Sequence, residues 1–249
     1  MALQKWLRLH LGITGILLAG AGIAGPADYV LTPNIKQGEL EFDASYGVAS
    51  NKVGARSQVA NVGLGYGVSD RWFSELMLKL KAGAAADSHY VEWENRFRLT
   101  AEADAAFVTG FVTELEAPLQ AGAPWELKLG PMFQARTGSW QWNGNVLFSR
   151  AFGGADEQGV AYATNLGYQW QARYRGESGL DFGVQGFGEV GAWDRWDAAA
   201  NQNHRIGPAL FGKIPGGGHE AFKFNAAWLF GVSQAAPQHT LRIKLEREL

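Results

Sequence analysis

The chain contains no cysteine, so no disulfide framework, thiolate metal site or thiol nucleophile enters its chemistry. Charged residues make up only 18% of it, against about 25% in typical soluble domains. After residue 30 there is no apolar run long enough for a helical span, which needs about 20 residues. If such a chain enters a membrane it does so as strands, because every backbone polar group must be satisfied inside the bilayer. The mildly acidic balance, a formal net charge of −2, is a poor match for nucleic acid.

What is present points to export. Lys5 and Arg8 open a basic segment, an apolar run follows from Leu11 to Leu18, and small residues suited to cleavage come next. The reading is a signal peptide over 1–27, with cleavage after Ala27 preferred over cleavage after Ala24. Without cysteine there is no lipoprotein anchor.

The last eleven residues set the pattern for the rest. Leu241, Ile243, Leu245 and Leu249 share one parity, while Thr240, Arg242, Lys244, Glu246 and Glu248 share the other. That is the period of a strand with one apolar and one polar face. Eleven further segments repeat it, over 39–48, 58–68, 72–81, 90–99, 105–116, 125–136, 139–151, 161–174, 179–190, 205–214 and 221–232. The tenth is the weakest, because Gly207-Pro208 interrupts it. Segments of about 10 residues suit strands tilted across a bilayer. The expectation is an all-β, antiparallel transmembrane barrel of twelve strands over 39–249, with both termini periplasmic and a bacterial outer-membrane location. A β-sandwich would also alternate. Its polar parity would face water and have no use for the glycines at 63, 65, 67 and 183, which suit a crowded lumen instead.

Residues 28–38 form a short periplasmic leader containing Pro33, read either as a tail below the barrel or as a plug within it. Aromatics such as Tyr66, Trp72, Trp140, Trp142, Trp170 and Tyr174 fall at one set of strand ends, with Tyr46, Trp125, Phe148 and Tyr162 near the other. Two interfacial girdles follow.

Acids and bases nearly balance on the inward parity, which argues against strong charge selectivity. The expected lumen network comprises Glu41, Asp43, Glu75, Lys79, Lys81, Glu92, Glu94, Arg96, Arg98, Arg242 and Lys244. If the hairpin of segments 72–81 and 90–99 is in the register that maximises charge pairing, Lys81 faces Glu92, Lys79 faces Glu94 and Glu75 faces Arg98. At the seam, the same logic sets Asp43 against Arg242 and Glu41 against Lys244. The network serves either as a structural ladder or as a path for solute.

The segment from Ala192 to His204 is expected to be an outer loop, with Trp193, Asp194, Trp196 and Asp197 as its recognition candidates. Arg150 has outward parity at an outer strand end, where it could donate to lipopolysaccharide phosphates. Rim hydrolysis would need a serine oriented by a histidine. Ser88 and His89 are adjacent and therefore face opposite sides of a strand. No HExxH motif or phosphate-cradling glycine loop is found, and no catalytic residue, metal or cofactor is expected.

Asp28-Tyr29-Val30 with Thr32-Pro33 and Gly38, the turn Gly65-Tyr66-Gly67-Val68-Ser69-Asp70-Arg71, and Trp93-Glu94-Asn95-Arg96 resemble the outer-membrane proteins of the "MetA-pathway of phenol degradation" family. The resemblance covers most of the chain beyond the signal and implies passage of hydrophobic or aromatic compounds across the outer membrane. It supplies no set of functional residues. Leu249 departs from the aromatic ending usual in such barrels. The reading is thus a passive channel or transporter for small molecules, with a closed structural or surface-interaction barrel as the alternative and a rim lipid hydrolase as the third. Its expected partners are outer-membrane lipid, lipopolysaccharide and the barrel-assembly machinery.

Overall fold

A computed structural model describes residues 25–51, 54–83, 87–153, 160–215 and 221–248. The expected signal segment up to residue 24, the turn at 216–218 and the terminal Leu249 lie outside the described residues.

Alternation of apolar and polar side chains forces one face of each strand into lipid and the other into a lumen, and the chain folds accordingly. The strands are β1 (Leu40–Ser50), β2 (Arg56–Ser69), β3 (Trp72–Ala82), β4 (Ser88–Arg98), β5 (Phe107–Pro118) and β6 (Trp125–Thr137). They continue as β7 (Trp140–Phe152), β8 (Thr164–Tyr174), β9 (Leu180–Ala192), a two-residue β10 (Arg195–Trp196), β11 (Asn203–Pro215), β12 (Ala221–Gly231) and β13 (His239–Glu248). Every long strand pairs antiparallel with its neighbours, β9 passing directly to β11. The last strand pairs with the first, from Glu41 opposite Glu248 to Ser50 opposite His239. The ring is therefore a closed barrel of twelve strands, which leaves no sheet edge unpaired.

The interrupted tenth segment resolves as β11. It spans Gly207 and Pro208, where the ladder to β12 skips from Ile206–Phe230 to Ala209–Ala227. The expected loop from Ala192 to His204 is shorter than its sequence suggests, because β9 and β10 extend it as a small hairpin. Val190, on the parity of the outward Leu180, Phe182 and Val184, is buried instead. A register shift between β8 and β9 leaves it as the extra residue of a bulge, which reverses its direction.

Outward residues such as Leu64, Leu76, Leu241 and Leu245 are exposed, as lipid-facing groups are. Trp140 stacks with Trp142 and meets Tyr174, which in turn stacks on Phe182, so one girdle is continuous across β7, β8 and β9. We call the end where β1 starts and β13 finishes the near end, and the opposite one the far end. Near-end turns at 70–71 and 138–139 are tight, the second using Gly138 at φ 57°.

Candidate functional site: the lumen and its strap

The polar parity lines the lumen, and residues 25–38 run through it as a strap. The strap begins in the far half beside Asp28 and the acids of β4–β6, and it leaves at the near end. There the Gly38 N–H donates to the Gly67 carbonyl, and the Gly67 N–H to the Glu39 carbonyl, both at 2.8 Å. Along its course Val30 packs with Phe187, Phe211, Ala209, Ala227 and Leu229 on one wall. Leu31 packs with Val112, Met132 and Leu147 on the other. Adjacent strap residues thus serve opposite walls, as an extended chain requires.

Polar contacts fix the strap's height. The Leu31 N–H donates to Gln169 Oε1 at 3.4 Å, and Asn145 Nδ2 donates to the Leu31 carbonyl at 3.1 Å. Gln134 Nε2 donates to Asn34 Oδ1 at 3.1 Å, and Arg242 donates to the Asp28 carbonyl. Lys244 Nζ stands 3.7 Å from the Tyr29 ring centroid. Wall glycines make room: a Cβ at Gly47 would collide with the Pro26 carbonyl, one at Gly67 with the Lys36 carbonyl, and one at Gly110 with the Pro33 ring. Gly63 and Gly65 serve the lumen differently, leaving space for Glu75 with Met77 and for Phe73 from β3.

The charged residues of the expected network are buried, apart from half-buried Lys81, and their register is not the one expected. Between β3 and β4 the partners are Glu75 with Glu94, Lys79 with Tyr90 and Lys81 with Ser88. At the seam Asp43 faces Glu246, Glu41 faces Glu248, Ser45 faces Lys244 and Gly47 faces Arg242. Each is a slip of four residues from the pairing that sets opposite charges face to face. As a result acids oppose acids, and further such pairs are Glu92–Glu116, Glu94–Glu114 and Glu116–Glu126. Like charges directly across a strand pair are destabilising on their own.

Long cations offset this, some diagonally and two, Lys128 to Glu114 and Lys223 to Glu246, directly across a strand pair. Lys79 bridges Glu92 and Glu116, the latter at 2.7 Å, and Lys81 reaches Glu116 at 2.7 Å. Arg96 holds Glu94 at 2.9 Å with Glu41 and Glu75 further off. Lys128 meets Glu114 at 2.7 Å, Lys244 meets Asp43 at 3.0 Å, and Lys223 meets Glu246 at 2.6 Å. Register is set by the wall's packing and the barrel's stagger; flexible side chains then find their partners.

An amide ladder on β6–β9 was less visible in the sequence, since Gln and Asn there read only as generic polar parity. Gln141 bonds Gln134 at 3.0 Å and Asn143 at 2.8 Å, Gln171 bonds Asn143 at 2.9 Å, and Gln185 bonds Gln171 at 2.9 Å. Arg242 of β13 closes the ladder across the lumen on Gln185. The lumen therefore has an ionic wall over β13, β1 and β3–β6, and an amide wall over β6–β9, with the strap between them.

Near balance of charge also conceals a segregation along the barrel axis. The far-half pocket is lined by Asp28, Glu92, Glu114, Glu116 and Glu126 against Lys79, Lys81 and Lys128. The near-end cavity, about 780 Å³, is rich in arginine and lysine. Trp193, Asp194, Trp196 and Asp197 are exposed beyond the far rim, and the Asp197 N–H returns to the Val190 carbonyl at 2.8 Å. Arg150 is exposed on the outer wall.

No protein-family model matches the chain, and neither does the sequence of any curated protein. Solved structures do. The COG4313 outer membrane channel from Pseudomonas putida F1 superimposes with a TM-score of 0.62 at 13% identity, over 91% of this chain and 100% of that one. The translocator domain of the autotransporter NalP from Neisseria meningitidis gives a TM-score of 0.47 at 11% identity, over 86% of this chain and 88% of that one. At such identities the likeness concerns the fold. Ring closure, the apolar exterior and the likeness to the Pseudomonas putida channel together place the chain among the twelve-stranded β-barrels of the bacterial outer membrane.

Proposed function

We propose that the protein is a passive channel or transporter for small molecules, with the strap as its plug, and that its solutes are hydrophobic or aromatic. One observation carries the reading: the lumen is wide enough to hold an extended chain segment in addition to its own wall side chains. A purely structural barrel of about eight strands fills itself with side chains and needs no such insert. The space the strap occupies is space a small solute can use when the strap shifts.

Two features support displacement and the solute class. Among the described residues, only the near end of the strap is tied by paired backbone bonds to the wall; the rest is held by side chains. On the outer face an apolar groove of about 750 Å³ runs past Pro208, bordered by Tyr46, Phe182, Leu210, Trp228 and Ile243. The groove sits where the β11–β12 ladder skips two residues. The family resemblance in the sequence points to the same class of compound. We also assign the near end to the periplasm, because tight turns collect there and longer connections at the other end.

The test is planar-bilayer recording of the full chain beside a variant lacking residues 28–35, together with uptake of aromatic compounds by a deletion strain. Larger conductance in the variant and an uptake defect in the strain are expected. No conductance from either form, with normal uptake, would sink the reading.

A closed surface-interaction barrel is the second reading, favoured by Trp193 and Trp196, which are 56% and 62% exposed. It requires that deleting 193–202 abolish binding to a partner or to lipopolysaccharide while assembly by the barrel machinery proceeds.

A further inference from the structure

The near-end cavity combines two features that together describe a ligand. Its volume, about 780 Å³, lies within the range of small-molecule sites, about 300–1,000 Å³. One side is apolar: Val30, Ile35 and Phe211 border it. The other carries guanidinium groups from alternate strands, Arg98 at the end of β4, Arg136 of β6 and Arg173 of β8, with Arg175 in the turn that follows.

Most of the cavity's acids are already engaged. Glu41 is held by Arg96, Glu246 by Lys223 and Lys244, Glu248 by Lys213 and Lys223, and Asp181 by Arg173 at 2.6 Å. Among the described residues Arg98, Arg136 and Arg175 have no ion-pair partner. Arg98 is only 6% exposed and its Nε has no hydrogen-bond partner; the Arg136 Nε has none either, and its Nη2 reaches Asn34 Oδ1 only at 3.4 Å. Burial, followed by the like charges of Arg173 and Arg136, lowers the pKa of Arg175. A buried cation without a counter-charge is costly, and an anion supplied from solution relieves that cost. The two sides meet where the Arg173 guanidinium stands 4.6 Å from the Phe211 ring centroid.

We propose that this cavity binds a small amphiphilic carboxylate, its carboxyl group forked by Arg98 and Arg136 and its apolar body against Phe211 and Val30. A planar guanidinium matches a carboxylate through two parallel N–H···O bonds, which fits a carboxylate better than a hydroxyl or a neutral ring. The apolar side excludes a bare inorganic anion as the best fit. This deepens the channel reading by naming the solute class, and rests on that reading for its physiological role alone. Binding itself is a property of the cavity.

The experiment is isothermal titration of the detergent-solubilised full chain with benzoate, against a micelle blank. Benzyl alcohol, benzylamine and inorganic phosphate serve as comparison probes. Benzoate is expected to bind saturably and at least tenfold more tightly than any of the three. Arg98→Gln and Arg136→Gln are each expected to weaken it at least tenfold. Arg175→Gln, outside the strands, gives a variant whose folding is not at stake. If phosphate binds as well as benzoate, the site is a plain anion site; if benzyl alcohol does, the arginines are not the recognition element. Either result overturns the proposal, as does unchanged binding in all three variants. Conductance without benzoate binding would remove this inference and leave the channel standing. Binding without conductance would do the reverse.

Discussion

Leu31 and Asn145 are joined across the lumen: the Asn145 side-chain amide donates to the Leu31 main-chain carbonyl at 3.1 Å. With Gln169 accepting from the Leu31 N–H, this strap residue satisfies both backbone groups on side chains of the wall. A buried carbonyl deprived of its donor costs about 1–3 kcal/mol. Asn145→Leu is therefore expected to lower the midpoint of the heat-induced gel shift and to raise open-channel current. An unchanged midpoint and current would show that the bond does not hold the strap.

Gly47 supplies a steric test. Gly47→Val places carbon where the Pro26 carbonyl runs, whereas at Gly144 a Cβ meets nothing within 4 Å. Gly47→Val is expected to displace the far half of the strap, making it accessible to protease. Gly144→Val is expected to leave the protease pattern and conductance as they are.

The seam pair is Lys244 with Asp43, at 3.0 Å, with both side chains about nine-tenths buried. Breaking a buried pair from one side costs roughly 3–5 kcal/mol. Lys244→Gln alone is expected to destabilise the barrel strongly, and Asp43→Asn in the same chain to recover part of the loss. Glu41→Gln is expected to give less rescue, since Glu41 lies opposite Glu248 and is engaged by Arg96. Thermal melts of the four chains decide between them.

Processing has its own consequence. Ala27 is 2% exposed inside the lumen, and the Gly25 N–H donates to Asp28 at 2.7 Å beside Glu92, Glu114, Glu116 and Glu126. Cleavage after Ala24 would place a new α-ammonium group in that acidic pocket. Cleavage after Ala27 would discard buried contacts. Terminal sequencing of the mature protein is expected to read Gly-Pro-Ala-Asp, and a start at Asp28 would refute this.

The barrel, its parity and its closing strand were legible because period-two alternation survives any choice of register. Lys79, Glu92 and Asp43 point into the lumen whichever residue stands opposite. Register was not legible, because charge pairing does not dictate it: Glu75 stands opposite Glu94 and Asp43 opposite Glu246. Lysine side chains reach a diagonal partner almost as well as a direct one. The bulge that turns Val190 inward leaves no mark on the local pattern. Of the near-end arginines, Arg98 was visible as an inward charge. Their convergence with Phe211 and the strap depended on three-dimensional closure.

The strap immediately precedes β1, and β1 is one half of the seam with β13. A segment enclosed by a ring that its own continuation completes is most simply installed before the ring shuts, since later entry means threading a free end past Arg242 and Tyr29's neighbours. Plug placement then belongs to the order of assembly, and a chain whose seam is weakened would err first in what it encloses.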